Sequence, residues 1–233
     1  MISTPYSEDV HFIGPPLEDG PMPTLFYFSL SAKTSLEQDP FNQPVQFLEG
    51  TPIRIFSVTL PAHENNLPPE NAMDVWEERM KGGDLVIPPF IEKLKGIVNE
   101  LKPHIKGGNL IAAGLSRGAY IACHLAAVCP EITHLLGFAP LTRFRAAKEL
   151  DLEILVPSLY NRTIRFYIGN HDTRVGTDHA FSFIDHLAKE AHKHRIRSSP
   201  IELIVGPSIG YQGHGTSPKV FKEGAAWVKE VLL

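Results

Sequence analysis

Five residues, Gly114-Leu115-Ser116-Arg117-Gly118, leave this chain few ways to fold. They spell G-x-S-x-G between a strand-like run, Leu110-Ile111-Ala112-Ala113, and an Ala-rich helical run, Ala119-Tyr120-Ile121-Ala122. With Gly and Ser each at about 7% of residues, a chain of this length holds the pattern by chance roughly one time in twelve. The context carries the weight that the letters lack. Strand, sharp turn and helix in succession force Ser116 into a strained backbone conformation and leave its hydroxyl exposed at the carboxyl end of a sheet. The two glycines fit because a side chain at 114 or 118 would collide where strand and helix pass closest.

The rest of the chain supplies such a sheet. Strands are expected at 10–14, 24–30, 53–58, 109–113, 134–139, 163–169 and 201–205, several of them near-continuous apolar runs of the kind buried on both faces. Helices are expected from Pro88 to Leu101, after Ser116, from about Asp178, and from Pro218, with Ser217 as its N-cap. In the third of these, Phe181, Ile184, Leu187, Ala188 and Ala191 are read as the buried face. Residues 31–45 read as a polar loop, 61–84 as a long loop with one helical piece around Trp76 that could form a partial lid, and 141–160 as a short helical insertion. Alternation at this rhythm predicts a mostly parallel sheet of about seven strands with helices on both faces, in one domain spanning 1–233. The loops after its parallel strands share one rim, where ligands of such sheets bind.

A serine hydroxyl needs an imidazole to take its proton, and the imidazole needs an acceptor that fixes its tautomer. Two rim loops carry these groups. Asp172 follows the strand ending at Gly169, and His214 lies in the glycine-rich loop after the last strand. Asp178 or Asp185 is the other reading for the acid, and His171 for the base, although His171 would share a loop with its own orienting group. His63 reads as a loop or rim residue. His186, His192 and His194 read as a solvated helix face rather than a metal site, and Arg174 as a surface arginine, with a substrate anchor as the other reading.

Taken together, Gly114 to Gly118, Asp172 with Val175, and His214 resemble the α/β-hydrolases, in particular their small serine esterase and prolyl-oligopeptidase-like branches. Leu60-Pro61-Ala62-His63 is similar to a Leu-Pro-Gly-His segment of the same family. The resemblance implies Ser116 as nucleophile, His214 as general base and then acid, Asp172 as orienting carboxylate, and the Arg117 N–H as one oxyanion donor. Where many members have His-Gly after the strand at 24–30, this chain has Ser29-Leu30-Ser31-Ala32, so the second donor is expected at the Ser31 or Ala32 N–H. The stretch before that strand is short, and one or two of the family's leading strands are expected to be missing.

Composition narrows the remaining choices. A net charge of −4 without blocks of like charge argues against a nucleic-acid or anionic-membrane surface. No run approaches about 18 apolar residues, so no membrane span is expected. The amino terminus lacks the basic start and apolar run of a secretory signal. Two local cysteines, Cys123 and Cys129, fit a reducing, cytoplasmic setting. The expected activity is hydrolysis of a small-molecule carboxylic ester or thioester through an acyl-serine, with no cofactor and no metal, in an open site suited to short acyl chains. An acyltransferase and a non-catalytic small-ligand-binding protein are the other readings on the same fold.

Overall fold

In the computed structural model, residues 10–64, 67–68 and 70–233 are described. The amino-terminal segment read for a signal and part of the proline- and asparagine-rich stretch at 61–69 lie outside them. The chain runs β1 (Val10–Ile13), β2 (Met22–Phe28), α1 (Ala32–Glu37), α2 (Gln43–Gln46), β3 (Arg54–Val58), α3 (Ala72–Lys81), α4 (Ile87–Leu101), β4 (Ile105–Leu115), α5 (Arg117–Val128), β5 (Ile132–Phe138), α6 (Val156–Leu159), β6 (Thr163–Gly169), α7 (Thr177–Lys193), β7 (Ile201–Gly206) and α8 (Pro218–Leu232).

The seven strands form one sheet in the order β1-β3-β2-β4-β5-β6-β7, with β1 antiparallel to β3 and every other pair parallel. Parallel pairing demands crossovers, and the helices supply them on both faces. Alternate side chains of β2 sort to the two sides. Phe26 and Phe28 join a core with Trp76, α4, α5 and α7, while Leu25 and Tyr27 join a second core under α1, α2 and α8. This is the architecture of the α/β-hydrolase fold, as the strand and helix pattern predicts.

Three local expectations change. Residues 31–45 are not a loop but hold α1 and α2; each is too short for a readable periodicity, although the Ser31 hydroxyl accepts from the Thr34 N–H as an N-cap. Strand β4 begins at Ile105, ahead of two glycines whose low strand propensity hides its start. In α7 the buried residues are Ala180, Phe183, Leu187 and Ala191, whereas Phe181 is 65% exposed. The helix is rotated so that Phe183, Leu187 and Ala191, spaced by four, face the sheet. The helical piece around Trp76 is α3, and it is fastened down: Trp76 is fully buried and its Nε1–H donates to Pro61 O at 2.8 Å.

Candidate active site

Ser116 sits between β4 and α5 at φ 55°, ψ −111°. A side chain in that region is strained, and the surroundings hold it there. Its N–H donates to Phe138 O at 2.8 Å, and its carbonyl accepts from the N–H groups of Ala119, Tyr120 and Leu141. Close approach explains the glycines on either side. A Cβ on Gly114 would lie 2.1 Å from the Gly118 carbonyl carbon, and one on Gly118 would lie 1.9 Å from Phe28 O.

The rim loops after β6 and β7 are joined to each other before they reach Ser116. Thr173 N–H donates to Gln212 O at 2.9 Å, Ser208 N–H donates to Asn170 Oδ1 at 3.1 Å, and His171 N–H donates to Ser208 Oγ at 2.6 Å. Gly213, at φ 74°, passes so near His171 that a Cβ would lie 2.2 Å from its carbonyl oxygen. From this joined pair, Asp172 and His214 converge. Asp172 Oδ2 lies 2.7 Å from His214 Nδ1, and His214 Nε2 lies 3.0 Å from Ser116 Oγ. Asp172 is buried, and its Oδ1 accepts the N–H groups of Arg174 and Val175 at 3.0 and 3.1 Å. A carboxylate held by two N–H donors leaves Oδ2 to accept the Nδ1 proton, so Nε2 carries a lone pair toward the serine hydroxyl.

The alternatives stand elsewhere. His171 is exposed, Asp178 lies beside His179, and Asp185 pairs with Lys189. His186, His192 and His194 are exposed, and no group of side chains suited to a metal occurs among the described residues.

The Arg117 N–H opens the first turn of α5, where leading N–H groups have no acceptor within the helix. In the loop after β2, Ala32 N–H is donated to Thr59 Oγ1 at 3.0 Å, and the Ser31 hydroxyl, rather than its N–H, caps α1. The residues of this loop that border the cavity at Ser116 are Ser29 and Leu30. Both of their N–H groups point to Ser35 Oγ at 3.1 Å, which folds the loop tightly against α1.

Sequence reasoning also passed over two side chains. The Arg117 guanidinium is buried beneath the site, donates to His63 Nε2 at 2.9 Å and lies 5.5 Å from the Trp76 ring centroid. Burial, with a contribution from Arg174, brings Arg117 down to about 10, so it remains a cation at neutral pH. Burial and the neighbouring Arg117 bring His63 down to about 4, so it is neutral and accepts through Nε2. His63 is therefore a buried partner rather than a rim residue, and the Leu60-Pro61-Ala62-His63 segment was its one signal.

A cavity of about 310 Å³ opens at Ser116, with an apolar wall that includes Leu30, Phe41, Met73, Leu141, Val175 and Phe221. Beside it lies a wider cleft of about 1050 Å³, and Met73, Leu141, Arg174 and Val175 border both. The smaller volume suits a compact ligand.

No protein-family model and no curated protein matches the chain. Solved structures do. TT1662 from Thermus thermophilus superposes with a TM-score of 0.69 at 16% identity, covering 96% of this chain and 93% of that one. A cold-adapted esterase from an Arctic intertidal metagenomic library gives 0.70 at 16% identity, covering 96% and 88%. Est1E from Butyrivibrio proteoclasticus, solved with ferulic acid, gives 0.65 at 12% identity, covering 96% and 94%. At such identities the likeness speaks for the shared architecture, and with the seven-stranded order above it identifies the chain as having the α/β-hydrolase fold.

Proposed function

We propose that the protein is a serine hydrolase that cleaves a carboxylic ester through an acyl-Ser116 intermediate. One observation carries the reading: the unbroken line from Asp172 Oδ2 to His214 (2.7 Å) and from His214 Nε2 to Ser116 Oγ (3.0 Å), at the mouth of a cavity. His214 Nε2 takes the hydroxyl proton as Oγ bonds to the ester carbonyl carbon. The negative charge that develops on the carbonyl oxygen meets the Arg117 N–H and the positive end of α5. The second donor comes from the loop after β2, from the Ser31 or Ala32 N–H or from Leu30, which borders the cavity and whose N–H would have to turn from Ser35 Oγ to serve. Each such donor stabilises the transition state by about 2.7–4 kcal/mol. Collapse breaks the bond to the alcohol oxygen, which receives the proton from His214. Water then attacks the acyl-serine with His214 as base, and the acid leaves as Ser116 regains its proton.

The test is labelling with a fluorophosphonate, which reports an activated serine without a known substrate. Wild type is expected to be labelled, and Ser116→Ala and His214→Ala are not. The labelled protein should also hydrolyse short-chain p-nitrophenyl esters. Folded wild type that resists the reagent and leaves those esters intact would overturn the assignment.

A further inference from the structure

The side chains that border the Ser116 cavity carry charge of one sign, the Asp172 carboxylate being turned to His214. Among the described residues, the cavity wall holds two guanidinium-bearing residues, Arg117 and Arg174, and no carboxylate. Arg117 is buried and committed to His63 and the Trp76 ring, so its charge is fixed in place. Arg174 is different: it is exposed, and its side chain has no ion-pair partner among the described residues. The two cations repel each other, and Arg174 helps to lower the proton affinity of Arg117.

The wider cleft is mixed in charge: Glu70, Asp74, Glu77, Asp172 and Asp178 border it together with Arg145 and with Arg143, which is paired with Glu153 at 3.0 Å. In the smaller cavity, whose lining has no carboxylate, a negatively charged ligand group is drawn toward Arg174, which borders both spaces. The apolar side chains that line this cavity with Arg174 and Ser116 suit a short methylene chain. A guanidinium offers a planar fork of donors that matches a carboxylate.

We infer that the Ser116 cavity takes an ester bearing a carboxylate a few carbons from the scissile bond, with Arg174 as the group that binds it and Arg117 as a fixed positive charge behind it. This rests on the hydrolase reading above and names its substrate class. Arg174 then acts in specificity, through its side chain, while its backbone N–H serves Asp172.

Two pairs of probes test it, with the carboxylate on either side of the ester. Ethyl hydrogen adipate is compared with its primary amide, and 5-acetoxypentanoate with its primary amide, so that each pair differs in charge at nearly constant shape. In at least one pair, kcat/KM for the acid is expected to exceed that for the amide by about tenfold or more. Arg174→Gln is expected to reduce that acid-to-amide ratio by about fivefold or more, and Arg174→Lys to restore part of it. The ratio should also shrink as ionic strength rises from about 0.01 to about 0.15 M. Ratios near one in both pairs, or a ratio that Arg174→Gln leaves unchanged, would overturn the inference. Binding of the same probes to Ser116→Ala, with and without Arg174→Gln, decides it without turnover: the acid should bind more tightly than the amide, and the difference should depend on Arg174. A protein that is labelled by fluorophosphonate but indifferent to charge loses this inference and keeps the hydrolase reading. A protein that is not labelled but still selects the acid loses that reading and keeps the carboxylate site.

Discussion

At the scale of single residues, the proposed chemistry depends on which atoms hold protons. Asp172 uses one oxygen for two backbone N–H groups and the other for His214 Nδ1. Asp172→Asn keeps the size but must present an N–H to one of these donors, and the imidazole loses the acceptor that fixes its tautomer. The expected result is a fall in kcat of roughly 10³–10⁴-fold, with the urea midpoint changed little because packing is retained. A loss below about tenfold would mean that Asp172 does not orient the base. The type and order of these residues were legible because chemistry restricts them: a serine in a G-x-S-x-G turn, an acid after one strand and a histidine after the last. Arg117 was legible only as a backbone position. Nothing in a single sequence says that a long cationic side chain beside the serine turns inward to meet His63.

Among the elements, the regular ones were readable and the short ones were not. Strands buried on both faces are continuous apolar runs, and α4 repeats its apolar residues over fifteen positions, with Phe90, Ile91, Leu94, Ile97, Val98 and Leu101 all buried. Helix α1 has six residues, about one and a half turns, which is too few to show a period. Yet α1 governs the loop that borders Ser116. Buried Ser35 accepts the N–H groups of Ser29 and Leu30 at 3.1 Å each and donates to Ser31 O at 2.8 Å. Ser35→Ala removes the acceptor and leaves two donors enclosed, at about 1–3 kcal/mol for each buried group left unsatisfied. Denaturant unfolding should therefore register a loss of about 2–6 kcal/mol, accompanied by a lower kcat/KM as Leu30 shifts. A change under about 0.5 kcal/mol, the size expected of an ordinary surface substitution, would show that the loop holds its shape without this clamp.

For the whole molecule, the order of the strands could be expected only in outline, because pairing is decided by contacts between distant segments. β1 illustrates this: residues 10–14 were readable as a strand but gave no sign of lying antiparallel to β3 at the edge. Burial of polar groups was equally hidden, and it sets how the fold responds to acid. His63 and His124 are both buried, and burial is the main reason that each titrates at about 4 instead of 6.5. For His63 the Arg117 charge adds to the effect, whereas for His124 the bond to Leu150 O opposes it. Between these values the unfolded chain takes up protons that the native state refuses, so stability rises with pH there. The contribution is fully present above about pH 6.5 and is lost as pH falls toward about 4. Glu131, held low by its bond to Lys102, adds a loss of the same sign, but only below the ordinary carboxylate range, so the two effects separate. The urea midpoint is expected to drop markedly between about pH 7 and about pH 5. The variant carrying His63→Gln and His124→Gln keeps an acceptor for Arg117 and a donor for Leu150 O but has no proton to gain. Its midpoint starts lower and should depend far less on pH over that interval. A flat wild-type profile, or a slope that survives both substitutions, would mean that these two histidines do not control the acid sensitivity of the fold.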